Sequence, residues 1–268
     1  MTAPGADARA PSHGLVLSLF PGADLLGRGF EAEGFCVVRG PDLVWGGDVR
    51  SFRAPAGHFE GVIGGSPCQD FSQLRRTPPT GDGLAMLAEF VRVVSEADPV
   101  WFLLENVPRV PCVAVAGYSV QRFNLRADEC GGAQRRNRCF QFGSRDSSVL
   151  VCDRSATARA TVQAALATAA SRRDCPPFAR FCELQGLPSL FDLPGLSRRA
   201  KYRAVGNGVP VYMARVIARA VTRRGESRGA VLCACGCGRL VAGLVTRATP
   251  ACRKRIQRAR AAGLSVAA

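Results

Sequence analysis

A cysteine, a glutamate and a pair of arginines stand where they could share one reaction. Cys68 lies in Gly65-Ser66-Pro67-Cys68-Gln69, directly after the apolar run Val62-Ile63. That places it on a tight loop at the carboxyl end of a strand, the edge where open α/β sheets bind ligands. A cysteine so placed is either a packed small hydrophobe or a nucleophile. Glu105 closes the apolar run Val100 to Leu104 and is followed by Asn106-Val107. Apolar neighbours can hold such a carboxyl protonated near neutral pH; the alternative is a cap on a following helix. Gln134-Arg135-Arg136-Asn137-Arg138 precedes the strand-like Cys139 to Phe142, and alternation puts Arg136 and Arg138 on one side. A thiol, a carboxylic acid and guanidinium groups are the parts of nucleophilic catalysis assisted by a proton donor.

The segments around these residues alternate between strand and helix patterns. Leu15 to Phe20 is a short apolar run closed by Pro21-Gly22, then comes a helix-like stretch to Glu33 and a second run, Phe35 to Val38. Runs at Gly61 to Gly64 and Val100 to Leu104 flank a helical stripe of Leu84, Leu87, Phe90, Val91 and Val94. This alternation predicts an α/β fold with a mostly parallel sheet covered on both faces. Ser119 to Leu125 and Cys139 to Gly143 are expected to add antiparallel strands at one edge. The Ala- and Thr-rich stretch Ser155 to Ala170 reads as an exposed helical connector. Pro210 to Val221 carries a helical apolar stripe, and Arg223 to Gly229 reads as a linker. The expected organisation is a flexible tail over 1–13, a main domain over 14–225 and a basic, Cys-rich module over 226–268.

The 268 residues are 47% hydrophobic and 21% charged, which excludes whole-chain disorder. No apolar run reaches the roughly 18 residues a membrane helix needs. Met1 to His13 lacks a basic flank and an apolar signal core, so a cytoplasmic location is expected, in a bacterial or phage-infected cell. The net charge is +15, and Arg215 to Arg260 holds twelve basic residues against one acid, Glu226. Such a field attracts polyanions, in this setting nucleic acid; the competing account is a solvated arginine-rich face. Twelve cysteines in a reducing compartment mean buried thiols, metal ligands or a nucleophile rather than disulfides. Cys233, Cys235 and Cys237, followed by Cys252 in a basic helix-like segment, make up a ligand set for one tetrahedral zinc, although the C-x-C-x-C spacing is unusual.

Taken in order, the motifs from Leu15 to Val221 resemble the DNA (cytosine-5) methyltransferase family. Ser18 to Gly22 resembles its first S-adenosylmethionine motif, Gly65 to Ser72 its Pro-Cys-Gln loop and Glu105-Asn106-Val107 its Glu-Asn-Val motif. Gln134 to Arg138 resembles Gln-Arg-Arg-x-Arg, Phe178 to Pro188 the motif after the recognition domain, and Gly206 to Pro210 the last motif. The resemblance implies a Rossmann-like fold that binds S-adenosylmethionine and methylates carbon 5 of a flipped-out cytosine in double-stranded DNA, as a monomer. It makes Cys68 the nucleophile towards carbon 6 and Glu105 the proton donor to ring nitrogen 3. Arg138 binds the base carbonyl, and Arg136 supports the loop or a phosphate. Phe20, Gly22, Asp48, Val49, Pro67, Asn207 and Val209 fall to the cofactor, with Asp42 a candidate for its ribose. Gln69, Ser72, Arg75, Arg76, Gln134, Arg145, Arg172 and Arg173 fall to DNA.

Two departures from the family pattern stand out. Asp24 and Leu25 replace later glycines of the first motif. Only about 30 residues, 144–175, stand where the family inserts its target-recognition domain. So short an insert predicts a target of two to three base pairs, or a reader elsewhere, for which the basic tail is the candidate. Two other functions compete: methylation of a tRNA cytosine, and DNA binding without catalysis.

Overall fold

The computed structural model describes residues 13–72, 78–154, 162, 163, 165, 167–227, 233, 235, 241 and 250–261. Its elements are β1 (Leu15–Leu19), α1 (Leu25–Glu31), β2 (Cys36–Arg39), β3 (Gly61–Gly64), α2 (Asp82–Ala97), β4 (Trp101–Asn106), β5 (Ser119–Arg126), β6 (Gln134–Arg135), β7 (Asn137–Ser144), β8 (Val162–Gln163), α3 (Phe178–Leu184), α4 (Arg198–Asn207), α5 (Val211–Thr222) and α6 (Pro250–Ala261). The main sheet has the order β2-β1-β3-β4-β7-β5. The first four strands are parallel, and β7 and β5 join antiparallel, as the sequence pattern predicts.

β3 and β4 are buried along their whole length, because alternate side chains enter two different cores. Val16, Ile63, Trp101, Leu103, Phe140 and Phe142 meet α1 and α5 through Phe30, Met213 and Ile217 on one face. Leu17, Val62, Phe102 and Leu104 meet Leu87, Phe90 and Val94 of α2 on the other. The period of two along each strand therefore fixes which neighbour faces which layer. A third core joins Leu25, Phe181, Tyr202 and Val205 beside the cleft.

The expected helical connector over Ser155 to Ala170 is not borne out at its described positions. Val162–Gln163 pairs with Gln134–Arg135 as a two-stranded ribbon, and Ala169–Ser171 is a single 3₁₀ turn. Tertiary pairing overrides alanine's helix propensity here: the buried Gln134 side chain accepts the Ala165 N–H at 3.0 Å. Part of the basic excess also belongs to the main domain rather than to a tail. Arg215 and Arg219 extend from α5 to Glu33, and Arg224 pairs with Glu60. Among the described residues, no helix is long and apolar enough to cross a membrane.

Candidate active site

Strand register sets the site. Leu19 pairs with Gly64, and Gly64 with Leu104. The next residues, Phe20, Gly65 and Glu105, therefore leave the sheet side by side at its carboxyl edge. Asn106 of β4 pairs with Cys139 of the antiparallel β7, which delivers Arg138 to that same edge. Phe20, Gly65, Glu105 and Arg138 line one cleft, together with Pro67, Cys68, Asp48, Val49, Asn207 and Val209.

Glu105 is a buried strand residue and caps no helix. Arg138 Nε lies 2.9 Å from Glu105 Oε1. Burial lifts the Glu105 carboxyl above the usual carboxylate range, and the opposing pull of Arg138 and Arg136 does not cancel it. The Cys68 thiol is likewise raised, first by burial and then by the Glu105 charge, with Arg138 and Arg136 drawing it down. A Cβ at Gly65 would come within 2.9 Å of Glu105 Oε2, so a larger residue there would push on that carboxyl.

Two clamps hold Cys68 and the loop after it. Asn106 Nδ2 donates to the Ser66 carbonyl and Oγ, both at 3.0 Å, which ties the end of β4 to the Pro-Cys loop. Asp70 accepts the Gly83 N–H at 2.8 Å and the Thr80 N–H at 3.2 Å, closing the base of that loop against α2. Gln69 is exposed at the cleft and Ser72 half-buried. Arg75 and Arg76 lie outside the described residues.

The turn after β1 is strained in a way the sequence hides. Phe20, Gly22 and Asp24 all have left-handed backbones, with φ of 53°, 54° and 52°. Each non-glycine residue there costs on the order of 1 kcal/mol. Asp24, read as a departure from the glycine pattern, tolerates that conformation and caps α1 by accepting the Gly27 N–H. It also receives Ser18 Oγ at 2.9 Å and lies 2.8 Å from Arg39 Nε. Burial raises its carboxyl nonetheless. Asp42 accepts the Gly22 N–H at 2.8 Å and the Val44 N–H at 2.7 Å, so it anchors this turn from across the cleft. Asp48 accepts from Arg50 Nε at 3.0 Å and Nη2 at 2.8 Å.

Several residues assigned to DNA or to catalysis are spent on the fold. Arg136 is buried and donates to the carbonyls of Ala165 (2.9 Å), Gly206 (2.8 Å) and Gly208 (2.8 Å). Burial pulls its guanidinium down to about 9, still protonated at neutral pH, so it braces the loop that carries Asn207 rather than reaching for a phosphate. Gln134, expected at DNA, is buried and donates to Leu184 O, Gln185 Oε1 and Tyr212 OH. Arg145, also expected at DNA, stacks on Tyr118 and pairs with Asp98. It sits at the end of β7, where Ser144 is opposite Trp101 at the start of β4, the sheet edge away from Cys68. Arg172 is exposed and pairs with Asp174, and Arg173 is exposed. Reading single residues missed Asn106, Asp70 and Gln185. Gln185 donates to Val205 O at 2.7 Å, beneath the Asn207 loop. All three stand inside or beside quoted motifs, which was the available signal.

Residues 45–111, which hold both Cys68 and Glu105, match the model of the C-5 cytosine-specific DNA methylase family. Type II methyltransferase M.AquIA of Picosynechococcus sp. is 30% identical over 177 residues, 48% of this chain and 71% of that protein. The chain belongs to the C-5 cytosine-specific DNA methylase family. It also matches Type II methyltransferase M.HgiDI of Herpetosiphon aurantiacus at 28% identity over 166 residues, 50% of this chain and 53% of that protein. The chain thus spans about half the length of several curated relatives it matches. A solved structure of S. pombe Dnmt2 methyltransferase superposes with a TM-score of 0.57 at 12% identity, covering 78% of this chain and 99% of that one. At that identity the likeness shows the fold, a methyltransferase α/β sheet.

At the carboxyl end of the chain, the sulfurs of Cys233, Cys235 and Cys252 lie within 4.8 Å of one another. Cys237, the fourth expected ligand, lies outside the described residues.

Proposed function

We propose that this family member transfers a methyl group from S-adenosylmethionine to carbon 5 of cytosine in double-stranded DNA. The observation that carries the proposal is the meeting of Cys68, Glu105 and Arg138 at one sheet edge, beside a cleft with the features a nucleoside-bearing cofactor needs. The left-handed turn at Phe20 to Asp24 brings backbone into the cleft, apolar Phe20, Val49 and Val209 offer a face for a ring, and Asp42 and Asp48 offer carboxylates. Bound there, S-adenosylmethionine supplies an electrophilic methyl. The proposed methyltransferase unit is 14–225, and the tail from 226 binds a zinc ion through Cys233, Cys235 and Cys252, with Cys237 the expected fourth ligand.

A base stacked in a duplex cannot be reached from both faces, so the cytosine is flipped into the cleft at a cost of a few kcal/mol. The Cys68 thiolate adds to carbon 6 while Glu105 protonates ring nitrogen 3, which makes carbon 5 nucleophilic. Carbon 5 then takes the methyl group. Loss of the carbon 5 proton to water expels the Cys68 thiolate, and nitrogen 3 returns its proton to the Glu105 carboxylate, which restores the neutral aromatic ring. In this reading Arg138 exchanges partners. As the base enters, the guanidinium turns from Glu105 to the base carbonyl, which leaves the carboxyl desolvated without its cation and therefore held in its protonated form, with a proton to share with ring nitrogen 3.

The test is bisulfite sequencing of duplex DNA incubated with the purified full chain and labelled S-adenosylmethionine, with tRNA in a parallel reaction. 5-Methylcytosine in DNA, within a context of two to three fixed base pairs, is expected. Label confined to tRNA, or to a ring position other than carbon 5, overturns the proposal; a strict site of four or more base pairs overturns the short-target expectation alone.

A further inference from the structure

α6 has two unlike faces. Cys252 and Ile256, one helical turn apart, are buried, whereas Arg253, Lys254, Gln257 and Arg258 are exposed. The helix holds five basic residues and no acid. Like charges three and four residues apart weaken an isolated helix of this length. A single buried isoleucine supplies roughly 1.5 to 3 kcal/mol against that, so the anchor on the inner face matters. Cys252 provides one. Its sulfur meets those of Cys233 and Cys235, and the Cys233 and Cys235 sulfurs are 3.5 Å apart. That is far longer than a disulfide of about 2.05 Å and close to the ~3.8 Å edge of a tetrahedron of thiolates each about 2.3 Å from zinc.

We infer that α6 is a second DNA-binding element, fixed by zinc through Cys252 so that Arg253, Lys254 and Arg258 meet the phosphate backbone of the duplex. The inference rests on the zinc assignment proposed above. The occupant follows from charge: an exposed face of cations on a helix that itself carries no carboxylate matches a regular polyanion. It also adds to what residues 144–175 offer. Within that insert three of the four described arginines, Arg145, Arg154 and Arg172, pair with Asp98, Glu129 and Asp174, and Arg173 is exposed. Affinity then comes largely from sequence-independent backbone contacts on α6, and the cleft selects the cytosine.

The experiment uses the full chain in three forms: zinc-loaded, stripped with a chelator, and the triple variant Arg253→Gln/Lys254→Gln/Arg258→Gln. Zinc per chain, S-adenosylmethionine affinity, and binding to a 30-base-pair duplex across a salt series are measured. About one zinc per chain is expected. The triple variant keeps its zinc and its S-adenosylmethionine affinity, loses at least tenfold in DNA affinity, and shows a log K against log salt slope shallower by about 2 to 3, roughly 0.9 for each lost phosphate contact. Stripping zinc produces the same DNA loss. Protein that binds no zinc overturns the zinc assignment. A zinc-loaded triple variant with the wild-type slope overturns the role of α6 and leaves the zinc assignment standing. A larger loss on phosphatidylserine vesicles than on DNA overturns the choice of partner.

Discussion

Replacing Arg136 by Met separates a brace from a DNA contact. Methionine keeps much of the length and apolar stem while removing the three short bonds to Ala165, Gly206 and Gly208, all 2.8 to 2.9 Å. Hydrogen bonds from a charged group are each worth about 1.5 to 3 kcal/mol net, and buried carbonyls left without a donor add their own penalty. Nη2 serves both Gly206 and Gly208, so those two are not independent, and relaxation recovers part of the loss. A cost of about 3 to 5 kcal/mol follows. At 2 to 4 °C per kcal/mol for a domain of this size, the thermal midpoint should fall by about 6 to 20 °C. Arg136→Lys, whose ammonium reaches one side of the gap, should lose about half as much. Because the freed carbonyls flank Asn207 and precede Val209, S-adenosylmethionine affinity measured by calorimetry should drop at least tenfold in the methionine variant. A midpoint within 2 °C of wild type, with normal cofactor affinity and a selective loss of DNA affinity, would refute the brace.

The remaining expectations concern the cleft. In free protein, alkylation of Cys68 by iodoacetamide should rise with pH beyond the ordinary thiol range near 8.5, since burial and Glu105 both raise the thiol. Glu105→Gln removes a charge that raises it and should shift the profile to lower pH; Arg138→Met removes a charge that lowers it and should shift the profile to higher pH. Profiles that do not move would deny the coupling. Asn106→Ala frees Ser66 from two bonds and should cost about 1 to 3 kcal/mol in unfolding free energy. It should also lower kcat more than it raises KM for S-adenosylmethionine; an effect on stability with unchanged kcat would make the clamp structural only.

Much of this architecture can be read from residue order, because strands buried on both faces leave unmistakable apolar runs. Val62-Ile63 and Trp101 to Leu104 each feed two cores at once, and their register alone brings Gly65 and Glu105 together. Periodicity was blind where partners are distant in sequence. Nothing local to Ala165 announces that Gln134 and Arg136 both bond to it, so an alanine-rich stretch resembles a helix. Arginines were the least legible residues, since one side chain serves equally as phosphate contact, ion pair or brace. Arg136 and Arg145 differ from Arg138 only in what the fold sets beside them. Asp24 shows the converse: a departure from a glycine pattern that preserves the left-handed turn glycine would have served.

The most direct measurement of the central claim, that Cys68 attacks the base, is covalent trapping on a duplex containing 5-fluorocytosine. Fluorine at carbon 5 replaces the proton whose loss releases the sulfur. Incubation with S-adenosylmethionine should therefore yield a protein–DNA adduct stable to denaturing gels, with the crosslinked peptide containing Cys68, and none with Cys68→Ser. Methyl transfer to unmodified DNA without any trapped adduct, or an adduct on another residue that persists in Cys68→Ser, would contradict it.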